Sequence, residues 1–150
     1  MKTIGLIGGM SWESSTEYYR LINTFVKERL GGFHSAKCAL ISVDFAEVEA
    51  LLRGNCWAEL TQLLIAAAQQ VERAGADVVL LCTNTMHKAA NDIQTNLRVP
   101  LLHIIDATAE HIKAQGLTTV GLLGTKPTAQ EHWYRDETAA ARDRINKTGD

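Results

Sequence analysis

The side chains able to do chemistry crowd into one stretch, Cys82-Thr83-Asn84-Thr85-Met86-His87, directly behind the apolar run Val78-Val79-Leu80-Leu81. A thiol, two hydroxyls, an amide and an imidazole together offer a base, an acid and several hydrogen-bond donors. An unbroken run of β-branched and bulky residues reads as a buried parallel strand. Thr83, Asn84 and Thr85 are each good helix N-caps. Cys82 is thus expected where a strand gives way to a helix, beside free backbone N–H groups and the positive end of a helix dipole. Both favour the thiolate, the reactive form of cysteine. In an open parallel sheet, ligands bind outside the carboxyl ends of the strands, so the position also suits a pocket. The plainer reading is an inert cysteine that only packs, and the polar residues behind it argue against that. The chemistry requires this sulfur to be ionisable and open to a small molecule.

Other candidates fall at comparable places. Lys2 to Ile7 is an apolar strand that runs into Gly8-Gly9-Met10-Ser11-Trp12, where glycines let the backbone turn and approach a ligand closely. This is not a dinucleotide-binding fingerprint, because its third glycine is absent from the required spacing. Gly124-Thr125-Lys126-Pro127-Thr128 offers a tight turn, two hydroxyls and a proline suited to a first helical turn. Its N–H groups would suit a carboxylate or phosphate, and a plain strand-to-helix connection fits it equally well. His87 lies just beyond Cys82 and reads as a packing or capping residue before it reads as a base. His103 reads as a core histidine within a strand, and Asp106 as a helix cap.

The elements needed to position these groups alternate along the chain. After the first strand, Tyr18, Leu21, Ile22, Phe25, Val26 and Leu30 recur at helical spacing, and Gly31-Gly32 stops the helix. Cys38 to Val43 reads as a second strand and Asp44 to Leu52 as a short helix, broken by Arg53-Gly54-Asn55. Trp57 to Ala74 is a long amphipathic helix ended by Gly75, and the strand leading to Cys82 comes at once. A helix over about Thr85 to Asn96, a fourth strand Leu101 to Ile105, a helix from about Ala107 to Ala114 and a fifth strand Thr119 to Leu123 complete the order. Such alternation predicts an α/β fold, a parallel sheet with helices on both faces. Met10, Cys82, Asp106 and Thr125 would then share one rim.

Composition sets the outer bounds. The 150 residues are 46% hydrophobic and 21% charged with a net charge of −2, enough for one domain with a real core. Basic residues are scattered, which leaves no electrostatic footprint for nucleic acid. No apolar run approaches the ~20 residues of a membrane-spanning helix, and the amino terminus enters a strand without a signal-peptide layout. Cys38, Cys56 and Cys82 show neither a disulfide framework nor zinc-ligand spacing. A cytoplasmic protein is expected.

Gly8-Gly9-Met10-Ser11-Trp12-Glu13-Ser14, Cys82-Thr83-Asn84-Thr85-Met86-His87 and Gly121-Leu122-Leu123-Gly124-Thr125 occur together in one order and spacing. In this the chain resembles the amino-terminal half of the aspartate/glutamate racemase superfamily, nearest its broad-specificity amino-acid racemases. The likeness runs from Met1 to about Tyr134. It implies an aspartate racemase-like fold of two similar lobes, with residues 1–115 as the first lobe and 116–150 as the incomplete start of a second. It also implies catalysis without cofactor, neither pyridoxal phosphate nor metal, by two cysteines on opposite faces of a small amino acid's α-carbon. Carried over by position, Cys82 is the first acid/base, and Met10, Asn84, Thr85 and Thr125 contact the substrate's amino and carboxylate groups. Family members are commonly dimers, so the resemblance implies a homodimer, while apolar surface left by an incomplete second lobe equally implies a poorly soluble fragment. An α-proton is weakly acidic, so its removal needs a base together with donors for the developing negative charge. Backbone N–H groups behind Cys82 and around Thr125 suit that task.

Two departures from the family pattern carry expectations of their own. The second cysteine has no counterpart, since no cysteine comes after Cys82. A truncated or internally deleted product with little or no racemase activity is therefore expected. Members that prefer aspartate carry an arginine after the second strand. Here that region is Ser42-Val43-Asp44-Phe45-Ala46-Glu47-Val48-Glu49, with Arg53 a helical turn further on. Repulsion of a second carboxylate favours neutral or varied amino acids over acidic ones. Outside racemization, two other classes stay open: a binding module in which Cys82 touches a ligand without chemistry, and a hydrolase or lyase using Cys82 as nucleophile with His87 as base.

Overall fold

The computed structural model of the chain describes residues 1–122 and 124. Four short strands, β1 (Thr3–Gly8), β2 (Lys37–Ser42), β3 (Val78–Leu81) and β4 (Leu101–Leu102), pair in the order β2-β1-β3-β4, and every pairing is parallel. Helices α1 (Trp12–Leu30), α2 (Phe45–Arg53), α3 (Trp57–Arg73), α4 (Ala90–Thr95) and α5 (Ile104–Ala114) supply the crossovers. β1 and β3 lie side by side at the centre, and Ile7 pairs with Leu81. The loops behind these two strands therefore leave the sheet as neighbours.

Alternation along β1 assigns the helices to faces. A Cβ on Gly5 would collide with Val71 of α3, and one on Gly8 would collide with Ser15 of α1. Residues an odd number apart in a strand point to opposite faces, so α3 and α1 cover opposite sides of the sheet. The α3 side holds the main core: Leu60, Leu64, Ala67, Ala68 and Val71 pack under Ile7, Val79 and Leu81, with Val48 of α2 and Ile93 of α4. Each fully buried Leu, Ile or Val among them contributes roughly 1.5–3 kcal/mol relative to exposure. The α1 side is thinner. Among described residues of α1 only Ser15 is buried, while Phe25 and Leu30 are largely exposed.

The α/β reading and the parallel sheet hold, and four details differ from expectation. Residues 119–122 form no strand and are exposed, so the fifth strand is not there among the described residues. A strand needs a neighbouring ladder for its backbone groups, and β4 runs for only two residues. The strand expected over Leu101 to Ile105 stops at Leu102, because α5 starts at Ile104 with His103 as its N-cap. His103 is therefore a helix cap, not a histidine inside a strand, and Asp106 lies in the first turn of α5 and not beyond a strand end. The helix expected from Thr85 splits into a 3-10 turn over Thr85–Ala89 and the short α4.

Candidate active site at the carboxyl edge of the sheet

The β1–α1 loop is shaped by two neighbours. Gly9 has φ +89°, and a Cβ there would lie 2.1 Å from the Val43 carbonyl oxygen and 2.6 Å from its nitrogen. Only glycine fits that backbone and that approach. The Val43 N–H donates to the Gly8 carbonyl at 3.0 Å, binding the loop to the end of β2. Three hydroxyls then order the start of α1. Ser11 is the N-cap and accepts from the Ser14 N–H at 3.3 Å. Ser15 accepts from the Gly9 N–H at 3.0 Å and donates to the Ser11 carbonyl at 3.0 Å. Ser14 shares its one hydroxyl proton between the Ser11 carbonyl at 2.9 Å and, across the sheet edge, the Cys82 carbonyl at 2.6 Å, the shorter contact.

Cys82 is consequently gripped from the β1–α1 unit at both of its main-chain groups. Its N–H donates to the Ile7 carbonyl at 2.9 Å, and its carbonyl accepts from Ser14. The side chain is wholly buried, at 0% exposure. Burial pushes its thiol pKa up to about 12, so in this conformation the sulfur is a neutral thiol. The expectation of a dipole-stabilised thiolate is corrected here. Behind Cys82 lies a 3-10 turn of five residues whose N-cap, Asn84, makes no side-chain capping bond. Such a turn supplies little dipole, and desolvation of the charged form wins. The requirement that the sulfur be open to a small molecule is not met in this conformation.

The other expected contacts are distributed along the same edge. Met10 is buried, 5% exposed, and belongs to the main core. Asn84 is exposed and Thr85 half-buried. Thr125 lies outside the described residues. Met10, Cys82, Asn84 and Thr85 all stand at the carboxyl ends of β1 and β3, which the sheet brings side by side. Open clefts of about 660 Å³ beside Trp57, Gln62 and Asn96, and of about 580 Å³ beside Ile22, Phe25 and Leu30, are lined by none of these four.

His87 is buried, and its Nε2 accepts from the Ile104 N–H at 3.4 Å. Burial lowers its pKa to about 4, helped by the charge of His103 and opposed by the backbone of Thr83 and Asn84. A nitrogen already occupied, on a ring this hard to protonate, is a poor general base for Cys82. The packing and capping reading of His87 is the one the geometry favours. Arg53 is ion-paired with Glu49 on α2, and Asp44 caps α2 by accepting from the Ala46 N–H at 3.0 Å. Cys38 is the second residue of β2, at its amino end, and the Cys56 thiol donates to the Gly54 carbonyl at 3.4 Å. Among the described residues no group of three or more His, Cys, Asp or Glu side chains is placed to hold a metal ion. No helix among them is long and apolar enough to cross a membrane.

Sequence reasoning overlooked Ser14 and Ser15. The available signal was the density of hydroxyls in Ser11-Trp12-Glu13-Ser14-Ser15 next to a glycine loop, which exceeds what one N-cap needs.

Comparison with known proteins places this edge in context. Over 77 residues the chain is 36% identical to the broad specificity amino-acid racemase RacX of Bacillus subtilis, covering 51% of this chain and 34% of that protein. A crystal structure from Yersinia pestis assigned as an Asp/Glu racemase superposes with a TM-score of 0.86 at 47% identity, over 98% of this chain and 71% of the other. An aspartate racemase homologue from Pyrococcus horikoshii gives 0.85 at 35% identity, over 94% of this chain and 62% of the other. The chain thus spans about a third of its curated relative and about two thirds of these structures. The family model for Asp/Glu/hydantoin racemases matches residues 7–146. The chain belongs to the Asp/Glu/hydantoin racemase family.

Proposed function

We propose that this chain carries half of a thiol-based amino-acid racemase site, with Cys82 as the group that exchanges a proton with the substrate α-carbon. The observation that supports this most is the placement of the family's Cys-Thr-Asn-Thr segment at the end of β3, against the glycine loop of β1. In the forward step the Cys82 thiolate takes the α-proton and becomes a thiol, leaving the electron pair on the α-carbon. Donors around the substrate carboxylate stabilise that charge, and the thiol returns a proton to the same face. Inversion needs a second acid on the opposite face. Cys38 lies at the amino end of β2 and the Cys56 thiol is engaged by the Gly54 carbonyl, so the described residues are proposed to exchange and not to invert. Met10, Asn84, Thr85 and Thr125 would contact the substrate, with no cofactor taking part. A conformation that uncovers Cys82 is part of the proposal, since a neutral, dry thiol does no chemistry.

The substrate class is a small amino acid with a neutral side chain. The segment after β2 offers Asp44, Glu47 and Glu49, and the next cation along the chain, Arg53, is already paired with Glu49. Residues 1–115 are proposed as one lobe, 116–150 as the opening of a second, with a cytoplasmic location and a homodimer as the working assembly. The burial of Cys82 supports one competing reading, an amino-acid binding module without proton transfer.

Proton NMR of amino acids in deuterium oxide decides between them. The expected result is loss of the α-proton signal with the unsubstituted chain and none with Cys82→Ala. Retention of the signal for every amino acid tried would sink the proton-transfer reading and leave the binding module.

A further inference from the structure

The family likeness gives Ser14 no task, yet Ser14 makes the one side-chain bond described to the backbone of Cys82, a residue 68 positions away, at 2.6 Å. We propose that Ser14 is a positioning residue for the Cys82 thiol: its hydroxyl fixes the peptide that leaves Cys82 and so sets where the thiol and the donors behind it point.

Three observations carry this. First, the Cys82 main chain has one attachment on each side of its Cα. The N–H is held by Ile7 within the sheet and the carbonyl by Ser14 outside it. The sheet bond is ordinary ladder geometry available to any residue there. The second bond exists only because position 14 has a hydroxyl. Second, Ser14 is itself aimed. Its N–H is taken by the Ser11 cap and its hydroxyl also touches the Ser11 carbonyl at 2.9 Å, so the side chain stands in one rotamer at the first turn of α1. Third, the neighbouring serines have separate occupations. Ser11 caps α1, and Ser15 holds Gly9. Neither is free to replace Ser14.

A carbonyl accepting a 2.6 Å bond fixes the plane of the peptide between Cys82 and Thr83. That plane directs the Thr83 N–H, the first donor behind the thiol. Ser14 does not meet the substrate in this arrangement; it acts through Cys82. Its consequence for catalysis rests on the reading of Cys82 as the proton-transfer group, while its hold on Cys82 does not.

The three cysteines provide the test and its controls in one sample. Cys82 is buried, whereas Cys38 and Cys56 are part-exposed, and neither is among the hydrogen-bond partners described for Ser14. Alkylation by iodoacetamide is followed for each cysteine by peptide-resolved mass spectrometry from neutral to alkaline pH. In Ser14→Ala the Cys82 rate is expected to rise about tenfold, the scale of one lost closing bond. Its pH profile should move towards neutrality, with Cys38 and Cys56 unchanged within about twofold. Ser14→Thr, which keeps the hydroxyl, should stay near the unsubstituted rate. Should Ser14→Ala fail to fold, the isosteric pair Ser14→Thr and Ser14→Val makes the same comparison. Equal acceleration of all three cysteines would show general loosening and overturn the proposal. So would an unchanged Cys82, or a threonine variant that behaves like alanine. In the α-proton exchange assay Ser14→Ala should lower kcat with KM nearly constant. An unsubstituted chain that exchanges nothing would sink the racemase reading, and the alkylation result would still decide the role of Ser14.

Discussion

The imidazoles of His87 and His103 meet edge-on, 4.6 Å between ring centroids with their planes at 64°, and each accepts a backbone N–H from the first turn of α5. Ile104 donates to Nε2 of His87 at 3.4 Å and Ile105 to Nδ1 of His103 at 3.2 Å. An imidazole accepts only through an unprotonated nitrogen. The start of α5 therefore rests on two accepting ring nitrogens, and the rings lie close enough that a charge on His103 disfavours one on His87.

His87 gives the fold a pH-dependent stability. Burial takes its pKa from 6.5 down to about 4 in the folded chain. The unfolded chain then binds the additional proton between those values, so stability rises with pH there. It is fully present above 6.5 and is lost as pH falls towards 4, by an amount on the order of 3 kcal/mol at most. Urea unfolding at several pH values should show that slope. His87→Gln, whose amide oxygen can still accept from Ile104, should flatten it. An equal slope in the variant would assign the acid sensitivity elsewhere.

These two caps also explain where sequence reading failed. Leu101-Leu102-His103-Ile104-Ile105 comes after Pro100 with the residue types of a strand. Local propensity says strand, yet the chain turns into helix at Ile104 because two imidazole acceptors, one of them from the 3-10 turn, meet its first N–H groups. By contrast α1 and α3 were legible, since periodicity and the glycines behind them act within a single element. The carboxyl-edge placement of Cys82 was legible for the same reason. Its burial was not. That depends on tertiary packing around the end of β3, and the Ser14 bond spans 68 residues with no local trace.

Gly9 fixes the loop that carries Met10, through a positive φ and a close approach to Val43. Gly9→Ala combines left-handed strain with a Cβ inside van der Waals contact of backbone. It should destabilise the chain by about 2–4 kcal/mol, more than strain alone. Gly31→Ala, with φ +70° and open space around it, supplies the strain-only comparison. Equal losses in the two denaturation curves would mean that the Val43 contact yields easily.

Replacement of Cys82 separates chemistry from packing. At 0% exposure the site is dry. Cys82→Ala removes one sulfur and should cost about 1 kcal/mol, whereas Cys82→Ser places a hydroxyl in the same space and should cost about 1–3 kcal/mol. Thermal unfolding of both variants gives the order. A serine variant as stable as the alanine one would show that water reaches position 82, a condition that proton transfer requires of at least one accessible conformation.

Charge in the segment after β2 makes a last prediction about side-chain preference. Arg53 is the next cation along the chain after that segment, and it is engaged by Glu49 one helical turn away. Both side chains reach solvent, so the pair is worth well under ~1 kcal/mol and can be exchanged for another carboxylate. With Glu49 present, an incoming aspartate meets Asp44, Glu47 and a neutralised arginine, and neutral amino acids should bind better. Glu49→Gln frees Arg53 while keeping the side chain's length. Aspartate affinity, read by chemical-shift titration, should then gain about threefold while alanine stays constant, a gain that shrinks with added salt. If aspartate gains nothing, Arg53 lies beyond reach of the bound side chain, and the preference for neutral substrates must come from the loop carboxylates alone.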